Sequence, residues 1–263
     1  MQIRVESLLE GARTARGTVV IVDVFRAFTT AAVAFSRGAA KIVLVAEIED
    51  ALELRGQGMG DLCMGEVGGA RPEGFDLGNS PFELSLADVE GKTLIQSTRA
   101  GTVGVSAVQG AKAIYACSFV VADATAKAAS RGGPDLITIV AMGAEGKRRT
   151  DEDEQCALYL RNLFLGRTPD RDAVRKLVMA GQEAQKYGRH MDQVYAEFLS
   201  RFGSFRSRRR GRQNFYIFRT RSDYNLQLAH FGIDASASGG MFFKTPKGRG
   251  LATFIGDQSD QRI

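Results

Sequence analysis

The sequence of 263 residues contains no tryptophan, five prolines, two histidines and three cysteines. Each scarcity removes a class of explanation. Cys63, Cys117 and Cys156 lie far apart, with no CxxC or Cys/His spacing, so a zinc site is not indicated. An odd cysteine count without a secretory leader pattern fits a reducing compartment, and a cytoplasmic location is expected. His190 and His230 belong to no strand-end motif, and no Arg-His-Gly triplet supports a phosphohistidine route. No uninterrupted apolar run is long enough to span a bilayer, so no membrane association is expected. The 30 glycines follow no triplet period, which excludes collagen, and the few prolines exclude a proline-rich linker. Several catalytic signatures are also missing. There is no Gly-Lys-Ser/Thr phosphate loop, no Gly-x-Ser-x-Gly elbow and no Asp-x-Asp-x-Thr after a strand. No cysteine is followed by arginine at the spacing of a cysteine-phosphatase loop.

What is present is ordinary globular composition, 44% hydrophobic and 25% charged. The net charge of +5 is unevenly placed. Positions 201–221 carry eight arginines and no acid, so the remainder of the chain is net negative. The basic balance belongs to one segment, and nucleic-acid binding is not expected of the domain. The run from Arg206 to Arg212 reads as a solvated loop, with a nucleic-acid contact as the alternative.

Alternation of apolar runs and small-residue segments predicts strands and helices in turn. The run 18–24 (TVVIVDV) reads as a buried strand, 25–36 as an Ala-rich helix stopped by Gly38, and 41–45 as the next strand. Together they form a βαβ unit with an expected right-handed crossover. A helix is expected over 47–56. A second series places a strand over 93–96, a helix over 102–109 stopped by Gly110, and a strand over 113–116. At an offset of 72, Thr30, Val33, Gly38 and Ile42 meet Thr102, Val105, Gly110 and Ile114; one register earlier, Arg26 and Ala27 meet Arg99 and Ala100. This reads as a duplicated β-loop-α-β unit, or as two unrelated small-residue helices. A third strand over 135–141 leads through a glycine-containing loop to a helix over 151–166, and helices are expected over 171–179 and 191–202. Beyond 203 only 214–218 reads as a strand, with a Gly/Ser loop over 235–240. The expected class is a three-layer α/β/α fold with a mostly parallel or mixed sheet. Residues 1–202 are its core and 203–263 a C-terminal extension.

In such sheets ligands bind beyond the carboxyl ends of strands. Asp23 occupies that place, with Arg26 three residues on. A carboxylate there can hold a divalent cation and a guanidinium can grip an anion, but Asp23 can equally be a helix cap. Gly74-Phe75-Asp76-Leu77-Gly78-Asn79-Ser80-Pro81 can expose backbone N–H groups to an anion, or be a turn ended by Pro81. Ser97 to Thr102 is a strand-to-helix junction suited to an oxyanion, or simply a helix capped by Thr98 or Thr102. Asp151-Glu152-Asp153-Glu154 suits a helix N-terminus, yet four adjacent like charges also invite a metal ion. Metal-assisted transfer of a phosphoryl group to water is the simplest chemistry left.

These segments, in this order, resemble the 2-phosphosulfolactate phosphatase family. The similarity is carried by Val22-Asp23-Val24-Phe25-Arg26-Ala27, the stretch from Gly74 to Pro81, the stretch from Thr98 to Thr102, and Glu152-Asp153, and it spans roughly residues 1–200. Where the family often has Asn-Gly-Thr, this sequence has Ala100-Gly101-Thr102. The resemblance implies a Mg²⁺-dependent phosphatase that converts (2R)-2-phospho-3-sulfolactate to 3-sulfolactate and phosphate, a step of coenzyme M biosynthesis, or acts on a related 2-phospho-hydroxy acid. It implies metal or water positioning by Asp23, Glu152 and Asp153 and a catalytic role for Arg26. Substrate contacts fall to Arg99, Gly78, Asn79, Ser80, Thr98, Gly101 and Thr102. The partner is a small anionic phospho-acid, and a homodimer is left open. The alternative is a non-catalytic anion-binding or regulatory protein on the same fold.

Overall fold

The computed structural model describes residues 1–184, 214–218, 240–245 and 248–254, the last three segments by backbone alone. The chain divides into two compact units, Met1–Tyr195 and Ala196–Ile263. The expected boundary at 202/203, the helix over 191–202, the Arg206 to Arg212 run and most of the 235–240 loop lie outside the described residues.

The first unit is α/β, with every strand parallel to its neighbours. It opens with β1 (Gln2–Ser7) and α1 (Leu8–Thr14), both absent from the sequence expectations because β1 is an edge strand of alternating exposure and α1 only seven residues long. Then follow β2 (Arg16–Val22), α2 (Ala27–Ser36), β3 (Lys41–Val45), α3 (Ile48–Gly56), β4 (Leu62–Gly65), α4 (Pro81–Leu86), β5 (Thr93–Ser97), α5 (Gly101–Ala107) and β6 (Gly110–Cys117). After a 3-10 turn, α6 (Ala122–Ala129), β7 (Leu136–Ala141), α7 (Asp151–Phe164) and α8 (Arg171–Ala180) complete the series. Pro81 does not stop the preceding loop. It starts α4, where its missing N–H is harmless. Gly110 likewise begins β6 instead of only ending a helix.

The strands form two sheets, β1-β7-β2-β6 and β3-β5-β4. This corrects the expected crossover: β2 and β3 flank α2 in sequence but belong to different sheets. The path β2-α2-β3 leaves the first sheet for the second, and β5-α5-β6 returns. Val19 pairs with Ile114 across β2 and β6, and Val43 pairs with Ile95 across β3 and β5. The two similar units each contribute one strand to each sheet, β2 pairing with β6 and β3 with β5.

The residue types account for this arrangement. The final four residues of β2, Val19 to Val22, are apolar and fully buried, as a strand covered on both faces requires. The small side chains of α2 let it pack on both sheets. Its N-terminal half, Ala27 and Phe28, joins Val19, Ile21, Val140 and Met142 in one core. Its C-terminal half, Val33 and Ala34, joins Met64, Leu84 and Leu94 in another. Burying a side chain such as Phe28 contributes about 2–3 kcal/mol. Gln96 donates from Nε2 to the Ala27 carbonyl at 2.9 Å and ties β5 to the start of α2. In the second unit, β8 (Asn214–Phe218) matches the expected strand. It pairs in parallel with β10 (Gly248–Phe254), which pairs antiparallel with β9 (Gly240–Thr245). Among the described residues, no helix is long and apolar enough to cross a membrane.

Candidate functional site

Loops leaving the carboxyl ends of four parallel strands line one cavity of about 640 Å³. The loop after β2 supplies Asp23, Phe25 and Arg26, and the loop after β4 supplies Glu66 and Gly68 to Ala70. The loop after β5 supplies Arg99 and Ala100, and the segment after β7 supplies Gly143 to Glu145, Thr150, Glu152 and Asp153. Asn79 and Glu183 complete the wall. Two of these strands belong to each sheet, so the cavity lies where the exchanged units meet.

Asp153 is 2% exposed and works as a clamp. Its Oδ1 accepts the Val24 N–H at 2.7 Å and its Oδ2 the Gly143 N–H at 2.8 Å, joining the ends of β2 and β7. Gly143 can meet it because its backbone is left-handed, at φ +63°. Asp23 is a second clamp, between helices. Its Oδ1 accepts the Ala27 N–H at 3.0 Å, and the nearby Gly101 backbone favours its charged form, so one acid sits between the starts of α2 and α5. Gly101 allows this approach: a Cβ there would stand 2.8 Å from Asp23 Oδ2 and 3.0 Å from the Ala27 Cβ.

Burial and crowding raise these acids. Asp23 is pushed up to about 6, first by loss of water and then by the nearby Glu66 charge, against the backbone donors and Arg26. Glu152 is pushed up to about 7, again first by burial, with Glu183 and Asp23 adding repulsion. Asp153 lies well above the usual carboxylate range because it is buried beside Asp23 and Glu152. Three buried carboxyls that resist ionisation in one cavity are costly for stability and are the kind of arrangement found at functional sites.

The remaining expected residues divide into two groups. Arg26, Arg99 and Asn79 line the cavity. The Asn79 Oδ1 and the Arg99 Nε are both buried without a hydrogen-bond partner among the described residues. The Phe25–Arg26 peptide is cis. Gly78, Ser80, Thr98, Gly101 and Thr102 do not line it. The Gly78 N–H, expected to face an anion, instead donates to Glu83 Oε2 at 2.8 Å, and the Ser80 hydroxyl caps α4 by accepting from the Glu83 N–H at 3.3 Å. Thr98 and Thr102 bind each other: Thr98 Oγ1 accepts the Thr102 N–H at 3.3 Å and Thr102 Oγ1 the Thr98 N–H at 2.8 Å. These residues shape the loops that carry Asn79 and Arg99.

Three cavity acids, Glu66, Glu145 and Glu183, escaped the sequence reading. Glu66 Oε1 accepts the Arg99 N–H at 3.0 Å and Oε2 the Gly69 N–H at 2.8 Å, which pins two rim loops together. Its position just past β4 was the available signal, and the brevity of that four-residue strand hid it. Glu183 is 9% exposed and accepts from Arg148 Nη2 at 2.6 Å. It lies far along the chain from every motif, and nothing local to it pointed to the site.

Asp23, Glu152 and Asp153 are hard oxygen donors whose crowding a cation would relieve, so the donor set fits Mg²⁺. No group of three or more acid, histidine or cysteine side chains among the described residues is placed to hold a metal ion by itself. An ion here would therefore need oxygens from a ligand besides one or two of these carboxylates.

The family model described as 2-phosphosulpholactate phosphatase matches residues 3–201. The chain belongs to that family. Its relatives include probable 2-phosphosulfolactate phosphatases of three bacteria. That of Caldicellulosiruptor saccharolyticus is 38% identical over 155 residues, covering 57% of this chain and 64% of the relative. That of Thermus thermophilus is 34% identical over 178 residues, covering 66% and 74%. That of Deinococcus radiodurans is 37% identical over 134 residues, covering 51% and 56%. The matched region falls short of two thirds of the first and third relatives' own length. The family match ends at residue 201, the first position of the arginine-rich segment.

Proposed function

We propose that this protein is a Mg²⁺-dependent phosphatase of small 2-phospho-hydroxy acids. By family, its substrate is (2R)-2-phospho-3-sulfolactate, cleaved to 3-sulfolactate and phosphate as in coenzyme M biosynthesis, in the cytoplasm. The observation that carries this reading is the single cavity at four strand ends, where two arginines face a group of buried acids. Arginines supply forked donors for phosphate and carboxylate oxygens. One or two of Asp23, Glu152 and Asp153 would hold the ion together with phosphate oxygens, and the ion when bound would neutralise phosphate charge and make phosphorus easier to attack. Glu152, raised to about 7, is the acid best suited to exchange a proton near neutrality. In the hydrolysis a water oxygen bonds to phosphorus, the P–O bond to the substrate carbon skeleton breaks, and the departing oxygen takes up a proton to become the 2-hydroxyl. Asp153 and Asp23 keep the loops in register while this occurs, through the backbone bonds described above.

The experiment is phosphate release from (2R)-2-phospho-3-sulfolactate and from 2-phospholactate, with Mg²⁺ and with EDTA. Release that EDTA abolishes and Mg²⁺ restores is expected. Activity indifferent to EDTA would remove the metal from the reading. Calorimetric binding of these compounds without turnover would replace catalysis with anion binding.

A further inference from the structure

The two arginines of the cavity come from the two exchanged β-loop-α-β units. Arg26 caps α2 after β2, and Arg99 immediately precedes the cap of α5 after β5. Their surroundings differ. Arg26 stands near Asp23 and lowers the cost of its charge, on the side of the first sheet, whose strand ends also carry Glu152 and Asp153. Arg99 stands at the end of the second sheet. Glu66 holds its backbone N–H at 3.0 Å, while its Nη2 donates to the Ala46 carbonyl at 3.4 Å and forms a partly exposed ion pair with Glu47 Oε2 at 3.5 Å. Its Nε is buried without a partner among the described residues. A buried guanidinium N–H left without an acceptor is unfavourable, and a ligand anion supplies the acceptor that the protein does not.

The geometry points to a two-ended anionic substrate read by one arginine at each end: the phosphoryl group beside Arg26 and the acids, and the second anionic group, a carboxylate or sulfonate, on Arg99. Arg99 is then the specificity-determining residue that separates a phospho-acid from a plain alkyl phosphate. The two similar units provide the means, because each places a strand-end arginine at the same cavity. This inference rests on the phosphatase reading above.

The test compares two substrates with the same carbon skeleton. 2-Phospholactate has a carboxylate where isopropyl phosphate has a methyl group. The ratio of their kcat/KM values is measured for the wild type, Arg99→Gln, Arg99→Lys and Arg26→Gln, with thermal melting to verify folding. Arg99→Gln should reduce the ratio by about 10- to 100-fold, the range for a charge-assisted hydrogen-bonded pair. Arg99→Lys should fall between it and the wild type. Arg26→Gln should lower both values and leave the ratio alone. A ratio unchanged in Arg99→Gln, or one that follows Arg26 instead, overturns the assignment. If the wild type releases phosphate neither from these compounds nor from (2R)-2-phospho-3-sulfolactate, the phosphatase reading fails, and calorimetry with 3-sulfolactate and inorganic phosphate takes over. Loss of 3-sulfolactate binding alone in Arg99→Gln then supports the inference, and equal loss of both ligands refutes it.

Discussion

Replacing Asp23 by asparagine should make the metal-free protein more stable at alkaline pH while removing its activity. The buried Asp23 carboxyl has its pKa raised from 3.8 to about 6. An acid raised on folding favours the folded state fully below 3.8, and that stability is lost as the pH rises through about 6. A carboxyl displaced this far carries about 3 kcal/mol between its protonated and ionised forms. Asparagine keeps an oxygen to accept the Ala27 N–H and has no charge to bury. In EDTA, Asp23→Asn should therefore exceed the wild type by about 3 kcal/mol at pH 8 and by only about 0.5 kcal/mol at pH 4. The assay is urea unfolding of both proteins at the two pH values, extrapolated to water. A gain of the same size at both pH values would refute the argument, because it would not come from ionisation. So would a variant less stable than the wild type at pH 8, which would mean that the backbone bonds of Asp23 outweigh its desolvation.

Other consequences follow from the same geometry. Gly101→Ala would place a methyl 2.8 Å from Asp23 Oδ2 and push α5 away from α2. Urea unfolding should show a loss of about 1–3 kcal/mol, the usual cost of overpacking, with phosphate release reduced at least about tenfold; wild-type values on both measures would show that the close approach is not needed. Glu183→Gln removes a negative neighbour that raises Glu152 and leaves Arg148 without its 2.6 Å partner. Both changes favour ionised Glu152, so the acid limb of the pH–rate profile should move to lower pH, and a limb that stays in place or moves up would argue against Glu152 as the titrating group.

Much of the site was legible in the residues, for reasons specific to each. Asp23 and Arg26 follow a run of β-branched residues so apolar that its end could be placed to within two residues, and ligand loops sit at such ends. Glu152 and Asp153 announce themselves as adjacent acids after a strand and a glycine loop. The stretch from Gly74 to Pro81 stood out by composition, yet composition could not separate Asn79, which lines the cavity, from Gly78 and Ser80, whose bonds go to Glu83. That difference depends on which way each group faces after α4 forms. Glu66 and Glu183 were not visible as site residues, since neither lies in a patterned segment and both reach the cavity only through the packing of distant loops.

By itself, the sequence determined the α/β class, a mostly parallel or mixed sheet, the strand-end acids and arginines, and the resemblance between the two β-loop-α-β units. These are consequences of local periodicity and of short spacings along the chain, and tertiary contacts do not change them. Only the tertiary structure decided that the units exchange strands between two sheets, because a periodic pattern states that a strand is buried and not which neighbour it pairs with. That exchange brings Arg26 and Arg99, 73 positions apart by their numbers, to one cavity. It also turns ordinary carboxyl groups into acids raised to about 6 and about 7, since desolvation depends on what packs around a side chain.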